Sequence, residues 1–133
     1  MREIIPAQYT DLLESTALAH IATIGPHGEP QSSPLWFGWD GERLRFAQLV
    51  GADRKRRNLE RDPRVAVSIV DPANPYRYLE VRSRVVRIEP DTEMAFINSM
   101  AQKYQGQATY TGGKPGDEYV VVTIEPLKTT AMG

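Results

Sequence analysis

Four cations stand in a row at Arg54, Lys55, Arg56 and Arg57, and Asn58 follows at once. Like charges this close repel one another, a cost that falls when an anion or solvent screens them. The row comes directly after an apparent strand and opens a short helix. A helix N-terminus adds free N–H donors and a partial positive charge, which makes it a natural seat for phosphate. Arginine grips phosphate through a bidentate fork, and lysine acts on it as a point charge. The alternative is a solvated basic face, balanced by Asp53, Glu60 and Asp62.

Two further groups can carry chemistry. The first is Pro30-Gln31-Ser32-Ser33-Pro34-Leu35-Trp36-Phe37. A proline inside a strand cannot donate to the ladder, so Pro34 predicts an edge or a bulge. Such a gap leaves backbone groups, and the Ser32 and Ser33 hydroxyls, free to meet a planar polar ligand. Trp36 and Trp39 are otherwise simply core. The second group is Lys103-Tyr104, then Gly106 and Tyr110, where a good helix runs into a glycine-rich loop. Basic and aromatic side chains there can line or cover a pocket. They can equally form a helix C-terminus with a well-placed cation and a glycine stop. His20 lies in an apolar strand and reads as a hydrogen-bonded core histidine; His27 lies in a turn and reads as solvated.

Composition narrows the chemistry further. Among 133 residues there is no cysteine and there are only two histidines. No thiolate nucleophile, disulfide framework or cysteine-based metal site can exist, and a reducing cytoplasm is the compartment expected. A histidine-rich metal site is not expected either. No GxGxxG follows a strand, and GxxxxGK, HExxH and GxSxG are all absent. Glu89 and Asp91 sit near a strand end with nothing to mark them as an acid–base pair. No catalytic side chain stands out, so an enzyme built on this chain needs a cofactor for the hard chemistry. The formal net charge of −1 argues against a general nucleic-acid binder, so any anion site must be local. The opening residues are charged and interrupted by Pro6, unlike a signal peptide. No apolar run is long enough to span a bilayer.

The elements that must position these residues are mostly strands. Glu3 to Ser15 predicts a short helix with Leu12 and Leu13 on its apolar face. Strands follow at 18–25, at 30–40 ending on Asp40-Gly41, and at 43–49, where Leu44, Phe46 and Gln48 share a side. Asp53 to Arg61 is a helical turn or two, and 64–70 is a buried strand. The run from Tyr76 to Pro90 fits one long strand whose alternation slips after Arg84, a sign of a bulge. Asp91 to Tyr104 is the best helix, capped by Asp91 or Thr92, with Met94, Ile97, Met100 and Ala101 on one face. The last strand is 118–126. About six strands in meander order predict a mainly β fold with short helices, a closed or nearly closed antiparallel barrel of one domain, 1–133. An open α+β sheet is the structural alternative.

LAHIATIGPHGEPQSSPLWF, then RKRRNLERDPRVAVSIVDPANPYRYLEVRSRVV, then KYQG with Tyr110, resemble the pyridoxamine 5′-phosphate oxidase-like flavin-binding split-barrel superfamily. The likeness runs from about Leu12 to Pro126 and is greatest to the branch of small deazaflavin (coenzyme F420)-dependent enzymes. It implies a six-stranded antiparallel split β-barrel, a homodimer, and cofactors held in grooves between the two chains. Phosphate contacts then fall on Lys55, Arg57 and Asn58, with the ring near Ser32, Ser33, Pro34, Leu35 and Trp36. The implied activity is hydride transfer from reduced F420 to an activated double bond of a small organic substrate. An FMN-dependent oxidase or reductase is the alternative, and a non-catalytic flavin- or F420-binding protein a third. Ser83 stands where the superfamily commonly has glycine, and the Arg- and Pro-containing ending of true pyridoxamine phosphate oxidases gives way to KTTAMG.

Overall fold

The computed structural model describes residues 4–51 and 54–133, with only the backbone of Arg54. Glu3 and Asp53, expected to open the first two helices, and the Arg54 side chain lie outside the described residues. Seven strands form one sheet: β1 (Ala19–Ile24), β2 (Pro30–Leu35), β3 (Gly38–Trp39), β4 (Leu44–Leu49), β5 (Arg64–Asp71), β6 (Asn74–Pro90) and β7 (Tyr119–Met132). Every pairing is antiparallel, in the order β2-β1-β5-β6-β7-β4-β3. The two edge strands, β2 and β3, are consecutive in the chain and only Trp36 and Phe37 join them. Three residue steps reach at most about 11 Å. The sheet therefore curls until its edges nearly meet, which is a split barrel.

Residues 30–40 read as one strand in the sequence, but the structure breaks them into β2 and β3, so the strands number seven rather than six. The break has a physical cause at Phe37. Its N–H donates to the Tyr104 hydroxyl (3.3 Å) and its carbonyl accepts from Lys103 Nζ (2.8 Å). Those groups are thus turned to a helix end and not to a neighbouring strand. Beyond the break, Gly41 at φ +100° makes the tight β3–β4 turn, where Asp40 Oδ1 accepts from the N–H groups of Glu42 and Arg43.

Alternation fills the barrel. Ala19, Ile21, Leu44, Phe46, Val67, Ile69, Leu79, Val81, Val122 and Ile124 point inward, and Leu12, Leu13, Phe37 and Leu59 pack onto the same core. Each large side chain buried this way stabilises the fold by roughly 1.5–3 kcal/mol relative to exposure. Leu12 and Leu13 come from α1 (Thr10–Glu14), which follows a 3₁₀ turn at Ala7–Tyr9. Gln48 joins Leu44 and Phe46 inside as expected. His20 does not: it alternates outward between buried Ala19 and Ile21 and is exposed. The slip expected after Arg84 appears as a register shift between Val85 and Arg87. A second shift at Arg82/Ser83 leaves Leu127 without a cross-strand partner, and Ser83 is buried beside it.

Two longer helices complete the chain, α2 (Arg54–Arg61) and α3 (Ala95–Gln105). The Asp91 carboxylate accepts from the N–H groups of Phe96 (2.8 Å) and Ile97 (2.9 Å), so it caps α3 as anticipated. It does so across Glu93 and Met94, both at positive φ, which resets the start of the helix. The buried face is therefore Phe96, Ile97, Met100 and Ala101, with Met94 outside it. No helix among the described residues is long and apolar enough to cross a membrane.

Candidate functional site

The inward side of edge strand β2 carries Gln31, Ser33 and Leu35, half-buried, between exposed Pro30, Ser32 and Pro34. Each inward residue meets a different part of the site. Gln31 Oε1 accepts from Asn58 Nδ2 at 3.0 Å. Ser33 Oγ accepts from Lys55 Nζ. Leu35 lines an aromatic cleft. Alternate strand residues lie about 6.6–6.8 Å apart, so the basic helix and the cleft are neighbours along one strand. That strand is a sheet edge, as Pro34 predicts.

Helix α2 sends its cations in different directions. Lys55 turns inward and is only 5% exposed. Arg56 is half-buried and lies 3.3 Å from Glu60, while Arg57 is exposed. Asn58 is buried and uses its whole amide: Nδ2 donates to Thr23 Oγ1 (3.1 Å) and Gln31 Oε1, and Oδ1 accepts from Arg61 (2.8 Å). It thereby fastens α2 to β1 and β2. Asp62, which could have balanced the cation row, bonds instead to Arg64 at 2.7 Å. That guanidinium holds the Asp62 carboxyl down to about 2. The row is thus not neutralised by Asp62.

The cleft has a volume of about 390 Å³ and is walled by Leu35, Trp36, Met100, Tyr110 and Tyr119, with no charged side chain of the described residues in its lining. Trp36 stacks flat on Tyr104 with centroids 5.2 Å apart and meets the edge of Tyr110 at 5.9 Å. Tyr110 in turn meets Tyr119 edge-on at 6.0 Å. Such stacked and edge contacts add to simple burial and hold the rings in place. Tyr119 is the residue that sequence reasoning missed, because it opens a strand that reads as plain core. Burial, with Tyr110 close by, pushes its phenol up. Gly112 and Gly113 let the loop settle on these rings: a Cβ at either would stand 2.6 Å from the Tyr110 hydroxyl or 2.8 Å from that of Tyr119.

Lys103 and Tyr104 hold the cleft's wall from behind. The Tyr104 hydroxyl donates to the Ala17 carbonyl (2.7 Å), and Lys103 Nζ lies 4.4 Å from the Phe37 ring centroid. Burial lowers the Lys103 ammonium and raises the Tyr104 phenol. Gly106, at φ +68°, ends α3 with its N–H on the Gln102 carbonyl. The structure therefore joins Lys55 to Ser33 and brings Pro34, Leu35 and Trp36 to the cleft. Asn58 stands behind the site, and Ser32 and Arg57 face solvent. His27 is exposed in its turn, as expected.

The sequence profile of the pyridoxamine 5′-phosphate oxidase family matches residues 5–132. The chain belongs to that family. Among solved structures, an F420 reductase is similar at a TM-score of 0.85 and 39% identity, covering 95% of this chain and 98% of that one. A conserved hypothetical protein of Mycobacterium tuberculosis (TM-score 0.72, 24% identity, 99% and 88% covered) shares the fold. So does General Stress Protein 26 of Bacillus anthracis (TM-score 0.69, 20% identity, 94% and 91% covered). No curated protein matches. Membership of the pyridoxamine 5′-phosphate oxidase family and the likeness to the F420 reductase support an oxidoreductase that uses a flavin or deazaflavin.

Proposed function

We propose that residues 1–133 form one domain of a cytoplasmic, homodimeric, F420-dependent reductase acting on a small organic substrate. The observation that carries this reading is the order along β2: a buried lysine on Ser33, then an uncharged aromatic cleft two residues on. A cation on a helix's first turn suits a phosphate, and a ring-walled cleft of this volume suits a planar heterocycle. In this reading Lys55, Arg57 and the first N–H groups of α2 hold the phosphate, Asn58 braces that helix, and Ser32 to Trp36 flank the ring. When bound in its reduced form, the deazaflavin supplies hydride to an activated double bond. The protein's part is to hold donor and acceptor together where Trp36, Tyr110 and Tyr119 keep water out.

Titrating the apoprotein with F420 and with FMN tests the reading. F420 carries carboxylates on a tail beyond its phosphate, and Arg54 and Arg56 are cations beyond what one phosphate needs. F420 is expected to bind tighter, by a margin that shrinks as salt screens the exposed charges. Equal or tighter FMN binding at every salt concentration would favour the FMN-dependent alternative, which family membership also accommodates. Turnover of the reduced cofactor with an added enone separates an enzyme from a mere binder.

The dimer is a second expectation. Among the described residues edge strand β2 pairs only with β1, so one chain encloses the cradle and the cleft from one side. Light scattering should give two chains per particle; a micromolar monomer that still binds cofactor would contradict it.

A third expectation concerns the proton that must accompany hydride. His20 and His27 are exposed, and the Tyr104 hydroxyl is committed to Ala17. Only Tyr110 of these four lines the cleft. General-acid help from a positioned side chain is worth roughly 10²–10⁴-fold. No substitution among His20, His27, Tyr104 and Tyr110 is expected to lower kcat by more than about 10²-fold, the bottom of that range, with losses falling on affinity instead. The series needs saturating reduced cofactor and a direct check of occupancy. A larger loss in a fully loaded variant would reveal a dedicated proton donor.

A further inference from the structure

The loop that walls the outer side of the aromatic cleft hangs on one residue. From Gln105 to Gly116 every residue except Tyr110 is exposed, and past Gln105 the segment has neither helix nor strand. The N–H groups of Gly106 and Gln107 donate back to the Gln102 and Ala101 carbonyls, which only finishes α3. At the far end the Val50 N–H donates to the Glu118 carbonyl, where pairing with β4 begins. Between these ends the Tyr110 N–H donates to Asn98 Oδ1 at 2.8 Å. Among the described residues no other backbone group from Ala108 to Gly116 bonds to a helix or a strand. An exposed segment held at so few points opens at low cost.

Asn98 joins two walls of the cleft. It is half-buried in α3 directly after Ile97, and Ile97 and Met100 line the same cleft as Tyr110 and Tyr119. One side-chain amide therefore ties the helical wall to the loop wall. From that anchor the Tyr110 ring reaches the edge of Trp36, 5.9 Å between centroids, and the edge of Tyr119 at 6.0 Å. The chain then folds over the hydroxyl end of the ring, so that a Cβ at Gly112 would stand 2.6 Å from the Tyr110 oxygen. Releasing the anchor frees the Tyr110 backbone, and the ring can leave Trp36 with the loop while α3 and the sheet stay in place. One hydrogen bond is worth about a three- to tenfold change in the balance between the two positions.

We propose that Asn98 is a positioning residue: given the reading of this cleft as the seat of the cofactor's ring, its hold on the Tyr110 backbone sets how long that ring stays bound. Release of F420 from the loaded full chain is timed after rapid dilution. Acrylamide quenching of Trp36 is read in the apoprotein, where Trp39→Phe leaves it as the single tryptophan. Asn98→Ala is expected to speed release about three- to tenfold and to open Trp36 to the quencher. Its melting temperature should stay with the parent's, because the lost bond holds an exposed loop and not the core. Asn98→Asp keeps an acceptor and should return both readouts toward the parent. Gly112→Ala, with Asn98 intact, pushes the loop off the Tyr110 ring and should act as Asn98→Ala does. Unchanged release of F420 from Asn98→Ala, or equal quenching of Trp36 in that variant and the parent, overturns the assignment. A parent that binds no F420 removes the cofactor reading instead, and quenching in the apoprotein then decides the role of Asn98.

Discussion

Alanine at Arg57 is expected to weaken cofactor binding by about 1.5–3 kcal/mol, the scale of a hydrogen bond to a charged group. That is roughly one to two orders of magnitude in Kd. Arg57 is exposed, so the folded state should change by no more than about 0.5 kcal/mol. Lys55 should show the same loss of affinity but needs a different variant. Its side chain, apolar stem included, is buried, not on the surface as a row of four cations implies. Lys55→Met keeps that apolar stem while deleting the ammonium that reaches Ser33. Calorimetric titration with F420, beside a melting curve for each apoprotein, separates affinity from folding. Parental affinity in both variants would make the row a solvated basic face and remove the ground for a phosphate cradle.

Strand periodicity carried most of the fold, because inward and outward positions alternate strictly along β1, β4 and β5. His20 shows the limit of that reading. An apolar neighbourhood in sequence suggests an apolar environment, yet the phase set by Ala19 and Ile21 places residue 20 outside. The break at Trp36-Phe37 was illegible for a different reason: it is imposed by Lys103 and Tyr104, more than sixty positions later. The same contacts explain why those two residues stand together where a pocket-lining role and a helix end were both open. They end a helix and hold the strap between the barrel's edges, and Tyr104 also backs Trp36. Four like charges in a row mark a candidate site but not its geometry. At about 100° per residue a helix must point successive side chains apart, so only some of the four can meet one ligand.

Asn58→Ala is expected to lower the stability of the apoprotein by about 2–4 kcal/mol, more than any change at Arg57. The amide ties α2 to Thr23 and to Gln31 and, within the helix, accepts from Arg61. Deleting it leaves the Thr23 hydroxyl, itself 1% exposed, without that donor and leaves Arg61 short of an acceptor. Cofactor affinity should fall as well, because Lys55 and Arg57 ride on the helix that Asn58 secures. The two effects have separable signatures. A brace costs stability in urea or heat with no ligand present, whereas a direct phosphate ligand costs affinity alone. Asn58→Ala that melts with the parent yet binds F420 weakly would return Asn58 to the cofactor's own contacts. Loss in both, with Arg57→Ala losing affinity only, would fix Asn58 as the residue that positions the cations and Arg57 as one that uses its charge.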